Sequence, residues 1–512
     1  MTSPPKTARR WLALTVLLLP VLLTSMDISI LYLATPAIAA DLAPSASELL
    51  WILDAYGFLL AGLLILMGNL GDRIGRRRLL LAGAVVFGVA SLLAAYAPTP
   101  PALIAARALM GVGGATLMPS TLSLIRNIFD DPAERTRAIG LWTACFAGGS
   151  ALGPVVGGVL LESFAWGSVF LINVPVVVLL LAVARPLLPE YRHAQPERLD
   201  LGSVVLSFAA ILPVVWAVKT AAEERAVTVP AALAAAAGAA AATAFVVRQR
   251  RLRTPLVDVR LFADRRFTGA VLAGALAMFS LVGLMLYNSQ YLQLVLGRSP
   301  LVAALWLLPV LAVVAVTAAT APLVAARFGP AAVFGAGAGL AAVGMLVVGG
   351  TPVHDGLFRM ILGSVLVGAG ISPLMTLATD VVVAAVDPER SGSASALSET
   401  ANELGAATGI AILGSIGAVV YRSSIMDGMP ADVPAGAADA MTANLGTAVE
   451  VADRLPPGVA EPLLALARQA FVDGLGAAAL TGAAILALLA VVAPVLLRRG
   501  TAASTVRGRP ER

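Results

Sequence analysis

Six ionisable residues stand inside apolar runs of this chain: Asp27, Asp54, Arg107, Asp380, Glu399 and Glu403. Charge at membrane depth is expensive and tends to mark function. Asp27 interrupts LLPVLLTSMDISILYLATPAI, residues 18–38, a run long enough to cross a bilayer. Counted at about 1.5 Å per residue from helix ends, Asp27 lies about 24 Å above the inner edge, Asp54 about 22 Å and Arg107 about 19 Å. An Asp–Arg pair at a shared level makes buried charge tolerable. Glu399 and Glu403 are one turn apart on one helix face, at about 11 and 17 Å. Asp380 sits near a helix end.

A carboxylate in a water-accessible cavity can take a proton from one side and release it to the other. It can equally pair with an organic cation, and competition between the two for one acid yields exchange without a separate coupling device. A cation pocket also wants aromatic and Met surface, since cation–π contacts contribute about 0.5–2 kcal/mol each. The candidates are Tyr32, Trp51, Tyr56, Trp142, Phe146, Phe279, Met285, Tyr287 and Trp306, with Asn288, Gln290, Gln293 and Asn402 as polar contacts.

The elements that must hold these residues are membrane helices. Hydrophobic residues make up 59% of 512, charged residues 13%, and mean hydropathy is +0.90. Soluble chains average about 45–50% apolar and about 25% charged. Fourteen apolar spans are expected, at about 11–36, 49–70, 79–97, 100–125, 136–161, 166–185, 201–219, 229–248, 267–292, 300–325, 330–350, 356–384, 392–422 and 468–497. Placing the N-terminus in the cytoplasm puts 27 of the 35 lysines and arginines on the inner side. The connection at 423–467, with six acids against Arg454, then lies outside, and both termini are cytoplasmic. The first span is too long for a cleaved signal segment, and Asp27 interrupts it.

Several chemistries are excluded. Cys145 is the single cysteine, and His193 and His354 lie apart in polar loops, so neither a disulfide within the chain nor a metal site is expected. Lys6 and Lys219, the only lysines, lack the glycine-rich phosphate-loop context, so no ATP is expected. The basic pI reflects membrane orientation rather than nucleic acid. No nucleophile–base pair suggests a membrane enzyme, and no cofactor is called for.

The chain also echoes itself. LGDRIGRRRLLLAG (70–83) follows the second span and VAARFGPAAVFGAG (324–337) follows the tenth, with Arg73-Ile74-Gly75 matching Arg327-Phe328-Gly329. The expected organisation is 6 + 2 + 6: a six-helix bundle over 1–200, an inserted pair over 201–250 and a second bundle over 251–512. Repeated halves around a central site are a transporter design.

Six segments resemble one family. GNLGDRIGRRRLL (68–80) is similar to the signature between helices two and three of the major facilitator superfamily. LIAARALMGVGGATLMPS (103–120) resembles its fourth-helix arginine motif, and GGSALGPVVGG (148–158) its fifth-helix antiporter motif. MDISILYLATPAI (26–38), WILDAYGFLLAG (51–62) and SETANELGAATGIAILGS (398–415) resemble the fourteen-helix drug:proton antiporters, in particular their quaternary-ammonium and multidrug exporter branch. The resemblance implies the all-α major facilitator fold in a bacterial cytoplasmic membrane. It also implies a proton-coupling role for Asp27 with Arg107 as its modulator, and cation recognition or secondary coupling by Asp54, Glu399 and Glu403. Gly68, Asp72, Arg73, Gly75 and Arg76 would form a conformational latch. Gly149, Gly153, Pro154, Gly157 and Gly158 would seal a pathway or bend during antiport.

WLLPVLAVVAVTAATAP (306–322) lacks the extra acid carried by some exporters of divalent cations, which favours monovalent lipophilic cations. The implied activity is proton-driven export of hydrophobic cationic antiseptics, dyes and related antibiotics, by a chain expected to act as a monomer. A dedicated antibiotic self-resistance exporter and a lipid-type exporter are the alternatives.

Overall fold

The computed structural model describes residues 6–192, 200–224, 226, 228–252, 259–384, 391–430 and 435–497. Among them every regular element is helical. The first half comprises α1 (Lys6–Leu42), α2 (Ala46–Ile74), α3 (Arg76–Ala95), α4 (Pro100–Ile128), α5 (Pro132–Ser163), the single turn α6 (Ser168–Leu171) and α7 (Asn173–Leu187). Then come α8 (Leu201–Glu224) and α9 (Val229–Arg251). The second half holds α10 (Arg265–Gln290), continued by a π-helical turn over Tyr291–Val295, α11 (Pro300–Phe328), α12 (Pro330–Gly349), α13 (Leu357–Ala384), α14 (Ser391–Gly428) and α17 (Pro457–Leu497). Two short helices, α15 (Ala435–Ala443) and α16 (Leu445–Asp453), lie between α14 and α17.

Among the described residues fourteen helices are long and apolar enough to span a bilayer, with α6 and α7 together making the sixth. The chain is a multi-pass membrane protein. Large apolar side chains such as Leu93, Val178, Phe358 and Leu488 stand exposed, as a lipid-facing surface requires.

The repeat is visible in the packing. In the first half α1 packs on α5, α2 on α4, and α3 on α4 and α7; in the second α10 packs on α14, α11 on α13, and α12 on α13 and α17. Each half turns from its second helix to its third through one glycine. Gly75 (φ 111°) joins α2 to α3 and Gly329 (φ 83°) joins α11 to α12. With ψ of 133° and 150°, both glycines lie in an extended positive-φ region that is essentially confined to glycine and costs another residue about 1–3 kcal/mol, so the matched Arg-x-Gly tripeptides share a conformational cause.

The inserted pair is not a detached appendage. α8 packs on both α2 and α14, and Val215 joins Phe58, Ala407 and Ala411 in an apolar cluster. At its base Asp200 accepts from Arg248 Nη2 at 2.7 Å and from Ser203 Oγ, and Ser203 Oγ accepts from Gln249 Nε2 at 2.5 Å. This polar staple ties α8 to α9.

Helix ends extend beyond the apolar runs. The connection expected over 423–467 narrows to 429–456, because α14 runs to Gly428 and α17 begins at Pro457. α16 folds back over the end of the molecule opposite the termini: Asn444 Nδ2 donates to Pro44 O (2.9 Å) and Thr447 Oγ1 to Ala39 O (3.4 Å). At the same end the halves meet through Ser299 Oγ to Glu162 Oε1 (2.6 Å) and Gln293 Nε2 to Leu33 O (3.0 Å). The arginines counted at 253 and beyond 497, and His193, lie outside the described residues.

A candidate proton and substrate site between the halves

Helix α1 brings Asp27, and α4 brings Arg107, into a buried ion pair with Nη1 2.5 Å from Oδ2. Asp27 is 4% exposed and Arg107 1%, so water stabilises neither. The surrounding groups complete the pair. Asn173, at the start of α7, donates from Nδ2 to Asp27 Oδ1 (3.5 Å) and to Ser91 Oγ on α3 (3.2 Å). Arg107 Nε donates to Ile52 O at 3.4 Å, and its guanidinium lies 4.8 Å from the Tyr56 ring centroid and 6.0 Å from that of Phe170. Cation–π contact of this kind suits a desolvated arginine.

The glycines of α5 lie directly behind this pair. A side chain at Gly149 would meet Ser25 and Leu22, and one at Gly153 would meet Ser29 and Met26, the α1 residues flanking Asp27. Gly157 faces Ile30, also on α1. Gly158 faces the second half instead, where a Cβ would approach Leu301 Cα to 2.7 Å. The stripe thus sets the α1–α5 spacing along its length and the contact with α11 at its end. Pro154 sits within the continuous helix α5.

Asp54 does not join Arg107, although helix counting set it at the same level. It is 1% exposed and pairs with Lys219 Nζ at 2.8 Å. Lys219 reaches it from α8, and its ammonium lies 3.9 Å from the centroid of the Trp51 ring. Ending that span at 219 treated this lysine as a boundary residue, whereas α8 continues to Glu224 and buries it completely. The readable signal was that one of only two lysines closes an apolar run.

From the second half, α14 presents Glu399, Asn402 and Glu403. A Cβ on Gly57 would stand 3.9 Å from Glu403 Oε2, which puts this carboxylate against α2. Asn402 donates to Glu399, and its own buried Oδ1 has no hydrogen-bond partner. Tyr32 is within electrostatic range of Arg107, Asp54 and Glu403, and Tyr56 within range of Asp27, Arg107 and Glu403. Both tyrosines are buried, and the Tyr56 hydroxyl lacks a hydrogen-bond partner. Two buried aromatic residues are therefore shared between the charged groups of the first half and Glu403 of the second.

The remaining candidates divide. Trp142 and Phe146 stack at 6.0 Å on α5, partly exposed, with Trp142 Nε1 donating to Thr121 Oγ1 at 3.1 Å. Phe279 is buried, with its backbone lying against Gly409 of α14, and Met285 is partly buried. Tyr287 donates to Leu413 O at 2.9 Å and packs on Phe471; Asn288 accepts from Ser364 at 3.1 Å; Gln290 donates to Leu286 O at 3.3 Å. These three, like Gln293, are committed to packing within the protein. Trp306 stands 42% exposed on α11, and no ring contact links it to the other candidates among the described residues. Asp380 is exposed near the end of α13.

In the hairpin at 68–76, Arg76 is buried and holds Asp72 through Nε (2.9 Å) and Nη2 (2.6 Å). Arg73 is exposed, and Gly68 has open space beside it. A residue not anticipated, Glu190, closes the turn: its Oε1 accepts from Arg77 N at 3.0 Å, and any side chain at Gly75 would collide with it.

Paired six-helix halves, an inserted helix pair and charge buried at the centre define a membrane transporter rather than an enzyme. The chain belongs to the Major Facilitator Superfamily, whose family model matches residues 17–410. It is 47% identical over 496 residues to the multidrug efflux pump LfrA of Mycolicibacterium smegmatis, covering 96% of this chain and 97% of that one. To the methyl viologen resistance protein SmvA of Salmonella typhimurium it is 35% identical over 483 residues, covering 94% and 97%. The inward-facing, occupied crystal structure of a bacterial homologue of the lysosomal transporter Spinster shares the fold, with a TM-score of 0.69 at 16% identity, covering 98% of this chain and 100% of that one.

Proposed function

We propose that this protein is a proton-coupled efflux antiporter for hydrophobic, chiefly monovalent organic cations in a bacterial cytoplasmic membrane, with both termini in the cytoplasm. The observation that carries the reading is the buried Asp27–Arg107 pair, with Tyr56 within electrostatic range of both its members and of the helix-α14 glutamate Glu403. An acid paired to a base in one half, beside acids without an ion-pair partner among the described residues in the other, supplies one group for a proton and others for a cationic cargo. The name of LfrA supports drug efflux, and that of SmvA concerns resistance to methyl viologen, an organic dication, so the relatives' names support organic-cation cargo without supporting its restriction to one charge.

In the proposed cycle, cargo enters from the inner side while the halves are closed at the distal end by Ser299–Glu162, Gln293–Leu33 and the α16 cap. The cation displaces a proton from the glutamates, and the 1–200 and 251–512 halves rock about the site to open outward. Protonation of Asp27 from outside loosens its hold on Arg107 and resets the carrier. The Asp72–Arg76 hairpin acts as the latch between states.

Reconstitution in proteoliposomes tests this reading. Adding ethidium or a quaternary ammonium compound should release protons from wild type, and Asp27→Asn should abolish the release while the protein still inserts. Normal proton-driven efflux by Asp27→Asn would remove Asp27 from the mechanism. Glu403→Gln should impair some cations more than others, and equal loss for all would assign it to proton coupling alone.

A further inference from the structure

The Asp54–Lys219 pair has the chemistry of a cation-binding subsite that already holds a cation. An acid, Asp54, and an aromatic face, Trp51, converge on one ammonium, at 2.8 Å and 3.9 Å. A carboxylate with an aromatic wall is what a quaternary or lipophilic cation requires. The occupant is not fixed to α2, which supplies both binding groups; it is carried in by α8 of the inserted pair. The subsite is also not saturated, because the second oxygen, Asp54 Oδ1, is buried without a hydrogen-bond partner.

Lys219 has somewhere to go. It lines a cavity of about 250 Å³ toward the distal end, with Ser45, Ser47 and Ser415 among the other walls. The Ser415 hydroxyl is buried without a partner, so it offers an acceptor to an ammonium that leaves Asp54. That cavity offers Lys219 neither the carboxylate nor the ring that hold it at the subsite, so it is drawn back to Asp54 and Trp51.

We propose that Lys219 is a tethered cation that occupies the Asp54–Trp51 subsite, yields it to a lipophilic cation by moving into the distal cavity, and expels that cation on its return. The inserted helix pair then takes part in transport by carrying the competitor. Small hydrated cations fail to displace Lys219 because they lack an apolar body to set against Trp51. The inference rests on the proposed reading of Asp54 as a cation site.

The test does not depend on transport or proton coupling. Purified Lys219→Ala is titrated with n-butylammonium, which matches the missing side chain, while thermal unfolding is followed. Tm should rise with concentration in Lys219→Ala and stay unchanged in wild type and in Lys219→Ala/Asp54→Asn. No rise in Lys219→Ala, or the same rise in all three, overturns the proposal. Should Lys219→Ala not fold, Lys219→Gln carries the test through binding of tetraphenylphosphonium. Removing the tethered competitor should tighten binding at least about tenfold over wild type, since wild type offers the subsite only in its minor, displaced state. Equal or weaker binding overturns it. Failure of proton-coupled export in wild type would sink the functional reading but leave the butylammonium result standing.

Discussion

Breaking the Asp27–Arg107 pair from its two sides should not have equal effects. Removing one member of a buried ion pair costs about 3–5 kcal/mol, because the other charge is left in a dry site. Arg107→Ala leaves Asp27, 4% exposed, with the 3.5 Å contact from Asn173 as its remaining hydrogen bond. That change belongs at the upper end, about 4–5 kcal/mol. Asp27→Asn leaves Arg107 with Ile52 O at 3.4 Å, the Tyr56 ring at 4.8 Å and the new amide oxygen. The ring contact offsets about 0.5–2 kcal/mol, so the cost should be near about 3 kcal/mol. The neutral double variant Asp27→Asn/Arg107→Met removes both charges and should recover most of the loss, because neither partner is stranded.

Denaturant unfolding of the purified variants measures these terms, and proton release from proteoliposomes measures coupling. Three results are expected together: Arg107→Ala less stable than Asp27→Asn, the double variant more stable than either, and none of the three coupled. A double variant as unstable as the sum of the singles would show that the pair is not the interaction seen. A stable double variant that still exchanges protons for drug would separate the pair from coupling altogether.

Gly75→Ala and Gly329→Ala compare two copies of one turn. Gly329→Ala carries only the positive-φ strain of about 1–3 kcal/mol, since space beside it is open, whereas Gly75→Ala also strikes Glu190; the unfolding midpoint should fall further for Gly75→Ala. Gly153→Val should force α5 from α1 at Ser29 and Met26, costing about 1–3 kcal/mol in stability and impairing efflux; full efflux would show that the stripe tolerates separation. Asp200→Asn should destabilise the inserted pair with a pH signature. Burial pushes the Asp200 carboxyl up, but hydrogen bonds from Arg248 and Ser203 outweigh it and hold it below the usual carboxylate range. A carboxyl lowered in the folded state stabilises above its unfolded value, and that stability is lost as pH falls through the folded value. Wild type should therefore exceed Asp200→Asn in Tm at neutral pH, with the gap closing under acid; a gap that persists unchanged in strong acid would assign the effect to packing.

Depth was legible in the sequence and azimuth was not. A uniform rise per residue set Asp27 and Arg107 at one level, and the two meet. The same count set Asp54 beside them, yet level alone cannot say which way a side chain faces. Asp54 turns toward α8, and its partner stood at the end assigned to that span. Fourteen spans and the repeated Arg-x-Gly turn were readable because hydropathy and glycine placement are local signals. Asn173 and Glu190 were not, since a short polar residue next to a helix break looks the same whether it faces water or a buried acid. Trp306 shows that aromatic type alone does not define a pocket: its side chain stands 42% exposed and makes no ring contact with the other candidates among the described residues.

The charge arrangement bears on why exchange would be obligatory. Each buried acid of the first half has a base, Arg107 from the same half for Asp27 and Lys219 from the inserted pair for Asp54, so these acids are neutralised at depth when the site is empty. Glu399 and Glu403 in the second half have no ion pair among the described residues, and Asn402 supplies a dipole rather than a charge. A carboxylate without a countercharge resists transfer through a closed, dry intermediate. On the proposed reading, closure of the halves over α14 would be favoured only when a proton or a cationic cargo neutralises the glutamates, so the carrier would cross loaded with one or the other. Desolvation would then suppress slippage without cargo, and the pairing of Asp27 with Arg107 and of Asp54 with Lys219 would confine that requirement to α14.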